Sequence, residues 1–239
     1  MKIFLAGAAG AIGRRLVPLL LRAGHSVTGT TRSPQRGEEL AQVGATPLLV
    51  DVFDAKPLRD AVVASAPDVV IHQLTDLPRE LDETRLAAAY AANARIRIEG
   101  TRNLVAAALA AGTTRFVLQS IAFGYAPGGE PHPETHPLNL SDPARAVTIG
   151  AAAAMEEMVL TDFVAAIVLR YGLFYGPGTW SDRPVRKPSL HIDAAAQAAL
   201  LALSCGLPGI YNIADDDGIV AIDKARRDLG FDPEFRIPQ

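Results

Sequence analysis

The 239-residue sequence predicts a doubly wound α/β fold, in which helices cover both faces of a parallel sheet. Short runs rich in β-branched residues alternate with longer stretches that carry apolar residues at three- and four-residue spacing, as in β-α-β units. A glycine-rich turn directly follows the first of these short runs. The hydrophobic and charged fractions, 49% and 21%, are typical of a globular chain that can bury a substantial core.

The alternation of strands and helices extends through the first two-thirds of the chain. The predicted strands are 3–6, 26–30, 46–50, 68–72, 115–120 and 164–169. The predicted helices are 11–23, 34–43, 56–65, 84–111 and 143–160. Pro34 and Pro143 suit the first turn of a helix, whereas the glycines at 24, 44 and 112 suit helix C-termini.

Two long loops interrupt this alternation. Residues 125–140 and 176–189 are rich in glycine and proline, and each follows the carboxyl end of a predicted strand. Ligands of open α/β sheets bind at that edge, and long loops in compact domains are usually functional or disordered. We therefore expect these two segments either to border a ligand site or to be mobile surface loops.

Composition argues against several classes of protein. The net charge of −3 gives no electrostatic basis for binding nucleic acid or an anionic membrane, and no run of about 18 apolar residues could span a bilayer. Cys205 is the only cysteine, which excludes an internal disulfide framework. His132 and His136 lack metal-ligand spacing with acidic partners. We expect a cytoplasmic protein without a metal site.

The first predicted helix begins at a candidate phosphate-binding turn. Gly7, Gly10 and Gly13 are spaced as GxxGxxG between the first strand and this helix. Glycine provides the tight turn, the close approach of backbone to a pyrophosphate and the close packing of helix on strand. Ala11 and Ile12 lie in the first helical turn, whose free N–H groups attract phosphates. The turn predicts a dinucleotide site of the Rossmann type.

The end of the second strand favours NADP over NAD. An NAD site usually has a carboxylate here for the ribose 2′-hydroxyl, whereas an NADP site has an arginine. This chain has Thr31, Arg32 and Ser33, and its next carboxylate is Glu38. Arg32 would pair with a 2′-phosphate, Thr31 or Ser33 would add hydroxyl contacts, and Arg36 adds positive charge. NADP is the predicted cofactor, and NAD is the second choice.

Several further segments form a pattern together with the glycine turn. They are DV at 51–52, DVVIH at 68–72, Asn93 followed by EGTRNL at 99–104, RFV at 115–117, LRYGLFYGPG at 169–178 and HIDAA at 191–195. In these segments the chain resembles the extended short-chain dehydrogenase/reductase superfamily, and within it the NAD(P)-dependent epimerase/dehydratase group. The resemblance covers residues 1 to about 212. It implies a small-molecule substrate and a dinucleotide cofactor.

The resemblance assigns roles around the cofactor. Asp51 would accept a hydrogen bond from the adenine amino group, with Val52 against the ring. Leu74 and Thr75 would line the cleft beside the phosphates and ribose. Asn93 would hold backbone or water inside the long helix, or pack there. All but Asn93 fall at or just beyond the carboxyl end of a predicted strand, where such cofactors bind.

The usual catalytic pair of the superfamily is absent. Carbonyl reductases and sugar epimerases of this superfamily use Tyr-x-x-x-Lys on the fifth helix, because a phenol needs a nearby cation to act as an acid or base at neutral pH. Alignment on Glu156 places Thr148 and Ala152 at these positions, and a shift of one residue gives Ile149 and Ala153. Neither tyrosine nor lysine occurs between residues 125 and 171.

Ser120, Tyr125 and Tyr175 are the candidate catalytic residues. Aligning Tyr125 with the tyrosine that follows the fifth strand in the superfamily puts Ile121 at the catalytic serine position. Ser120 is its neighbour, and it either donates to a substrate carbonyl or has a structural role. In a reduction, the proton donor would be the phenol of Tyr125, Tyr175 or Tyr171.

Two other mechanisms stay open. His72 titrates near neutral pH, although the resemblance favours a structural role for it. Alternatively, hydride transfer to a strongly electrophilic substrate needs little acid catalysis, because the cofactor carries the difficult chemistry.

The C-terminal part of the chain is short for the superfamily, with only residues 179–190 between the GPG turn and the HIDAA segment. We predict a dinucleotide-binding Rossmann domain over residues 1–170 and a small, abbreviated C-terminal substrate lobe over residues 171–239, packed on the same domain.

The helices at 84–111 and 143–160 form the dimer bundle in the superfamily. The small alanine face at 151–154 suits a homodimer.

The sequence therefore predicts an NADP(H)-binding oxidoreductase that transfers hydride to a small carbonyl or related electrophile. One alternative is a non-catalytic NADP-binding redox sensor or scaffold. Another is an epimerase, dehydratase or lyase with a rebuilt active site. The intact cofactor motifs favour an enzyme, whereas Thr148 and Ala152 favour a sensor.

Overall fold

A computed structural model describes residues 1–77 and 86–238. The strands are β1 Lys2–Ala6, β2 Ser26–Thr31, β3 Thr46–Leu49, β4 Val69–His72, β5 Arg115–Ile121, β6 Ala165–Tyr171, β7 Leu173–Tyr175, β8 Ser189–His191 and β9 Gly209–Ile213. The helices are α1 Ala11–Arg22, α2 Pro34–Gln42, α3 Ala55–Ser65, α4 Leu86–Arg95, α5 Thr101–Ala110, α6 Ala146–Asp162, α7 Ile192–Leu201 and α8 Asp223–Leu229.

Seven parallel strands form the main sheet in the order β3-β2-β1-β4-β5-β6-β9, and β7 pairs with β8 separately. The chain runs outward from β1 to β3 and then returns to place β4 on the other side of β1. Loops leaving β1 and β4 therefore diverge, which opens a crevice at the carboxyl edge of the sheet. The predicted doubly wound, Rossmann-type fold is confirmed.

Both faces of the sheet are buried, which explains the continuous apolar runs of the strands. In β1, Ile3 and Leu5 belong to one core cluster, whereas Phe4 and Ala6 belong to the other. Helices α1 and α7 pack together over the first cluster, and α3, α5 and α6 cover the second. Within the described residues, no helix has both the length and the apolar composition needed to cross a membrane.

The segment predicted as one helix at 84–111 is not a continuous α-helix in the structure. The described part consists of α4, a π-helical turn at Ile96–Gly100 and α5. Residues 84 and 85, at the predicted start of this helix, lie outside the described residues. An extra residue in a helical turn changes which side chains face the sheet, and π-helical turns frequently occur at functional sites.

Helix α6 begins at Ala146, so the placement of Pro143 in its first turn was wrong. The carboxylate of Asp142 accepts hydrogen bonds from the N–H groups of Ala144 and Arg145 at 2.9 and 3.1 Å. These bonds form a turn that includes Pro143, and the helix starts after it.

The chain after β6 contributes to the same structure. Strand β9 pairs with β6 in the main sheet, and α7 packs on α1. The predicted division of the chain at residue 170 falls inside β6 and stays a prediction. The loop at 125–140 lies at the carboxyl edge, where bridges from Tyr125 to Leu138 and from His132 to Val220 attach it.

Candidate functional site

An open cleft lies at the crevice between β1 and β4. Segments that follow β1, β2, β3 and β4 line it, so its wall combines residues distant in sequence. The predicted cofactor residues that line it are Gly7, Gly10, Thr31, Arg32, Arg36, Asp51, Val52, Leu74 and Thr75. The other predicted cofactor residues, Ala11, Ile12, Gly13, Ser33 and Asn93, lie beside or behind this wall.

The turn after β1 requires glycine at two points. Gly7 has a φ of +92°, and a Cβ there would lie 2.6 Å from the carbonyl oxygen of Gln73. A Cβ on Gly13 would collide with the carbonyl oxygen of Ala8. Because both neighbours are backbone atoms, they cannot give way as a side chain would. The turn therefore keeps α1 close to β1 and leaves backbone exposed at the cleft.

The start of α1 is suited to bind an anion. Gly10 is the N-cap and provides no side chain, and the first turn of α1 contains no acidic residue. The first helical hydrogen bond runs from the N–H of Arg14 to the carbonyl of Gly10, so the N–H groups of Ala11, Ile12 and Gly13 precede it. Such N–H groups carry the positive end of the helix dipole. A pyrophosphate fits this helix start.

Gln73, which the sequence analysis did not select, also lines the cleft. Its Nε2 donates to the hydroxyl of Tyr171 at 3.4 Å, and that hydroxyl donates to the carbonyl of Ala195 at 3.2 Å. These two bonds orient the amide, and its Oε1 has no hydrogen-bond partner among the described residues. A buried oxygen acceptor beside the glycine turn fits a molecule that carries hydroxyl or amide donors. A dinucleotide carries such donors on its riboses and its nicotinamide.

Arg32 lies at the mouth of the cleft with 57% of its side chain exposed. Its guanidinium is 3.3 Å from the carboxylate of Asp76 and 3.8 Å from that of Asp51. The hydroxyl of Thr31 accepts from the N–H of Ser33, whose own hydroxyl accepts from the N–H of Arg36 and caps α2. The side chain that reaches into the cleft mouth is therefore Arg32, whereas the neighbouring hydroxyls hold local backbone.

The part of the cleft wall that follows β3 is more apolar. Val52 is 8% exposed and its carbonyl accepts from the Asn103 side chain at 3.0 Å. The carboxylate of Asp51 accepts from the N–H of Phe53 at 3.0 Å, which fixes the turn after β3. An adenine ring would fit between this turn and the segment after β4, and the second carboxylate oxygen of Asp51 lies 3.8 Å from the Arg32 guanidinium.

Asn93 lies behind the cleft wall. Its side chain is buried and its Oδ1 accepts from the N–H of Asp76 at 3.2 Å. This contact holds the backbone of the segment that follows β4, near Leu74 and Thr75. Its geometry is that of a residue that fixes backbone, one of the two roles expected for it.

The positions expected to correspond to the superfamily's catalytic serine and lysine lie in a buried apolar cluster. Ile121, aligned with the serine, packs with Ala152, aligned with the lysine, and with Ile149, the neighbour of Thr148. They are 4%, 0% and 0% exposed. Phe123 and Leu138 pack against them. Such apolar side chains cannot transfer a proton.

Ser120, by contrast, belongs to a buried polar network. It is the register partner of Arg170 in β6, which is in turn the partner of Asn212 in β9, so these three side chains share one face of the sheet. The guanidinium of Arg170 makes two bonds to the carboxylate of Glu156, at 2.6 and 2.9 Å. The Ser120 hydroxyl donates to the same carboxylate at 2.5 Å.

Tyr125 completes this network. Its hydroxyl accepts from Arg170 at 2.9 Å and donates to the side-chain oxygen of Asn212 at 2.7 Å. Burial raises the pKa of Tyr125, and the neighbouring Arg170 only partly opposes the increase. The network joins the loop at 125–140 to β6, β9 and α6. Ser120 and Tyr125 thus lie together with their hydroxyl protons already donated to internal acceptors.

Tyr175 lies apart from that network. Its ring packs edge-on against His191, with ring centroids 5.1 Å apart, and its hydroxyl accepts from Arg236 at 3.3 Å. Burial and the carboxylate of Asp215 raise the pKa of Tyr175. Burial also raises the pKa of Tyr171 far above its usual range. All three candidate phenols therefore hold their protons more tightly than a free tyrosine does.

His72 is a buried structural group. Its Nδ1 accepts from the N–H of Leu74 at 3.2 Å, so the proton of a neutral ring lies on Nε2, which is 3.1 Å from the Thr101 hydroxyl. Burial and the nearby Arg97 lower its pKa to about 4. Arg97, on the π-helical turn, is itself buried and donates to the carbonyl of Thr148 at 2.9 Å. Burial lowers the pKa of Arg97 to about 10.

Sequence reasoning missed the contributions of Gln73, Asp76 and Arg97. Gln73 follows β4 directly and Asp76 lies in the same segment beyond it, and this place after the strand end was the available signal. Arg97 carried no signal, because a charged residue in a predicted amphipathic helix is normally exposed and the π-helical turn that buries it has no clear sequence pattern.

Comparisons with known proteins agree with this geometry. Residues 3–230 match the model of the NAD dependent epimerase/dehydratase family. A 3-diazoavenalumate denitrifying reductase from a Streptomyces species is 37% identical, in an alignment that covers 100% of this chain and 84% of the relative.

Two solved structures have the same fold. A UDP-glucose 4-epimerase from Thermotoga maritima, solved with UDP-glucose, has a TM-score of 0.80 at 18% identity, covering 99% of this chain and 94% of that one. The Bordetella bronchiseptica enzyme WbmG, solved with NAD, has a TM-score of 0.75 at 19% identity, covering 99% and 90%. By its matched residues, its sheet and its cleft, this chain belongs to the NAD dependent epimerase/dehydratase family.

Proposed function

We propose that this protein is an NADP(H)-dependent reductase that delivers hydride to a small electrophile reactive enough to need no proton from the protein. The observation that carries the proposal is the contrast between two sites. The cleft has the backbone and charges for a dinucleotide, whereas Ile121 and Ala152 form apolar packing where the superfamily has proton-transfer groups.

Cofactor binding would use the cleft in an order that follows the sheet. Asp51 and Val52, after β3, would hold the adenine, and Arg32, after β2, would meet the 2′-phosphate. The start of α1 would bind the pyrophosphate. The nicotinamide half would then lie over β4 and beyond, beside Gln73. The reduced cofactor supplies hydride, and the protein supplies position and a dry surface.

The substrate class follows from the apolar side chains at the positions where the superfamily has its proton-transfer groups. Reduction of a simple ketone needs a proton on the developing alkoxide, which an apolar cluster cannot supply. An aryl diazonium group makes no such demand, because one hydride replaces the C–N bond by C–H and the nitrogen leaves as N₂. The Streptomyces relative is, by its name, a denitrifying reductase of a diazo compound. We infer that an electrophile of this class is the substrate.

The chain's own residues would then bind and shield the substrate. The half-buried side chain of Phe123 would pack against a flat ring, and the buried Ile121 and Ile149 would support it from beneath. The pairing of Arg170 with Glu156 would hold the loop at 125–140 in place beside them. Ser120, Tyr125 and Tyr175 stay candidate catalytic residues, but the proposed reaction requires none of them to donate a proton.

A non-catalytic NADP-binding sensor is the second candidate, and the same apolar cluster favours it. Both candidates predict tight nucleotide binding, and only the reductase predicts turnover. The homodimer expected through the helices at 84–111 and 143–160 also stays a prediction, and sedimentation velocity measures it directly.

Nucleotide titration and a substrate panel test the proposal. We expect NADPH to bind more tightly than NADH, and Arg32→Ala to weaken NADPH by about tenfold while changing NADH less than twofold. The matched control is Arg227→Ala, which removes another exposed, ion-paired arginine far from the cleft. Equal effects of Arg32→Ala on both nucleotides would refute the 2′-phosphate assignment.

Turnover separates the two candidates. Oxidation of NADPH is followed with aryl diazonium salts, simple ketones and aldehydes, and released N₂ is measured with the first group. The reductase proposal predicts one N₂ per NADPH oxidised. Tight NADPH binding without oxidation by any panel member would leave the sensor as the better function.

A further inference from the structure

An ion pair crosses the mouth of the cleft. Arg32 follows β2 and Asp76 follows β4, and β1 lies between these two strands in the sheet. The 3.3 Å contact between their side chains therefore passes over the carboxyl end of β1, where the glycine turn begins. The two side chains are 57% and 42% exposed, which places the pair at the outer rim of the cleft.

Asp76 is held in place from below. The buried side chain of Asn93 accepts from its N–H at 3.2 Å, so its backbone position is set by α4. A second carboxylate, that of Asp51, is 3.8 Å from the same guanidinium. Arg32 thus lies between two carboxylates, and with Arg36 the formal charge of these four side chains sums to zero.

This balance matters for a phosphate. A phosphate monoester brings close to two negative charges at neutral pH, and a carboxylate already paired to the receiving arginine both repels and competes with it. An exposed ion pair is weak, whereas arginine binds phosphate through short, charge-assisted and often bidentate bonds. The phosphate can therefore take Arg32 from Asp76, but at a reduced affinity.

We propose that Asp76 is a cofactor-specificity residue that holds Arg32 across the cleft until a 2′-phosphate displaces it. The pair is exchanged for an Arg32–phosphate pair when NADPH binds. NADH has no 2′-phosphate and leaves the pair intact. Asp76 thereby lowers the affinity for NADPH, and the ratio of NADPH affinity to NADH affinity becomes smaller. This inference rests on the proposed use of NADP(H).

The test compares Asp76→Asn with Asp76→Glu by fluorescence titration of NADPH and NADH. Asp76→Asn is expected to bind NADPH three- to tenfold more tightly and NADH within twofold of wild type. Asp76→Glu keeps the charge and stays near wild type for both. Asp60→Asn, which removes the carboxylate of an exposed ion pair on α3, is the matched control and changes neither nucleotide.

A double-mutant cycle identifies the cause. In an Arg32→Ala background, the gain from Asp76→Asn is expected to fall below twofold, because no arginine remains to be released. A gain that persists in that background overturns the exchange, and so does an Asp76→Asn protein with unchanged NADPH affinity. A wild-type protein that binds neither nucleotide overturns the proposed function and this inference with it. Wild-type NADPH binding with an inert Asp76 overturns this inference alone.

Discussion

The two halves of the carboxyl edge are built on opposite principles. Over β1 to β4, the wall is glycine backbone, a helix start and exposed charges such as Arg32, and it encloses an open cleft. Over β5, β6 and β9, the same edge is filled by the buried ion pair of Arg170 with Glu156 and by the apolar cluster around Ile121. One half is shaped to receive a ligand, and the other is packed.

This difference shows which parts of such a site can be replaced. The proposed cofactor site depends on backbone shape at Gly7 and Gly13, where a Cβ would collide with backbone atoms. Acid catalysis depends on side chains, which substitution can remove while the strand and helix that carry them stay in place. A chain that loses the second function and keeps the first can still transfer hydride, provided that the electrophile is reactive enough.

The largest expected effect comes from breaking the ion pair of the packed half. Glu156→Gln leaves the Arg170 guanidinium buried without its charge partner, and we expect a loss of about 3 kcal/mol in the free energy of unfolding. Urea denaturation measures it. The exposed neighbour Glu157→Gln is the control, with a change within about 0.5 kcal/mol.

The comparison predicts that this damage does not reach the cleft. NADPH affinity of folded Glu156→Gln is expected to stay within a factor of about two of wild type, because additivity holds for well-separated sites. A large loss of nucleotide affinity at full folding would contradict the separation of the two halves.

The next effect is a pH dependence of stability that arises from His72. Its pKa is lowered from 6.5 to about 4 in the folded protein by burial and by Arg97, so the unfolded chain takes up a proton that the folded one rejects. The free energy of unfolding therefore has its full value, as far as His72 is concerned, above pH 6.5. It decreases by about 3 kcal/mol as the pH falls to about 4.

Unfolding free energies between pH 7 and 4 measure this effect. In His72→Asn the contribution is absent, so the decrease with falling pH is expected to be shallower than in wild type. Parallel curves for the two proteins would exclude His72 as the cause, since the carboxylates titrate in both.

A smaller effect is expected from adding a single methyl group to the cleft half. In Gly13→Ala the new Cβ meets the Ala8 carbonyl and must push α1 away from β1. We expect NADPH to bind on the order of 30-fold more weakly, which corresponds to about 2 kcal/mol. Gly150→Ala makes the same change in α6, where a Cβ meets open space, and should leave binding intact. Equal binding by both variants would contradict the role of close helix–strand packing.

The parts of the fold that could be predicted are those with local signals. The short apolar runs between helical stretches located β1 to β6 to within one or two residues. The glycine spacing located the cleft, because the positive φ and the close backbone contact at Gly7 allow only glycine there. The start of α6 was misplaced because the carboxylate of Asp142, rather than Pro143, controls the turn.

The rest could not be predicted, since it depends on partners distant in sequence. Ser120 gave no indication that it would face Glu156, 36 residues later, because the strand that carries it is buried on both faces. Tyr125 looked like a free phenol in a loop, and only the fold brings Arg170 and Asn212 to it. Nor does any short motif indicate that Asp76 would pair with Arg32 across β1.

The smallest predicted effect on stability comes from Tyr125→Phe. This variant also distinguishes a catalytic role of the phenol from a packing role in the half of the edge over β5, β6 and β9. Tyr125→Phe removes the hydroxyl that accepts from Arg170 and donates to Asn212, and should cost about 1 to 2 kcal/mol in unfolding free energy. If the phenol only holds the network, turnover of an aryl diazonium substrate changes less than about threefold and its pH profile keeps its shape. If the phenol is the proton donor, kcat falls by about 100-fold or more while KM stays similar. The raised pKa of Tyr125 and its two internal bonds favour the first outcome, because a proton already donated to Asn212 must leave that bond before it can reach a substrate.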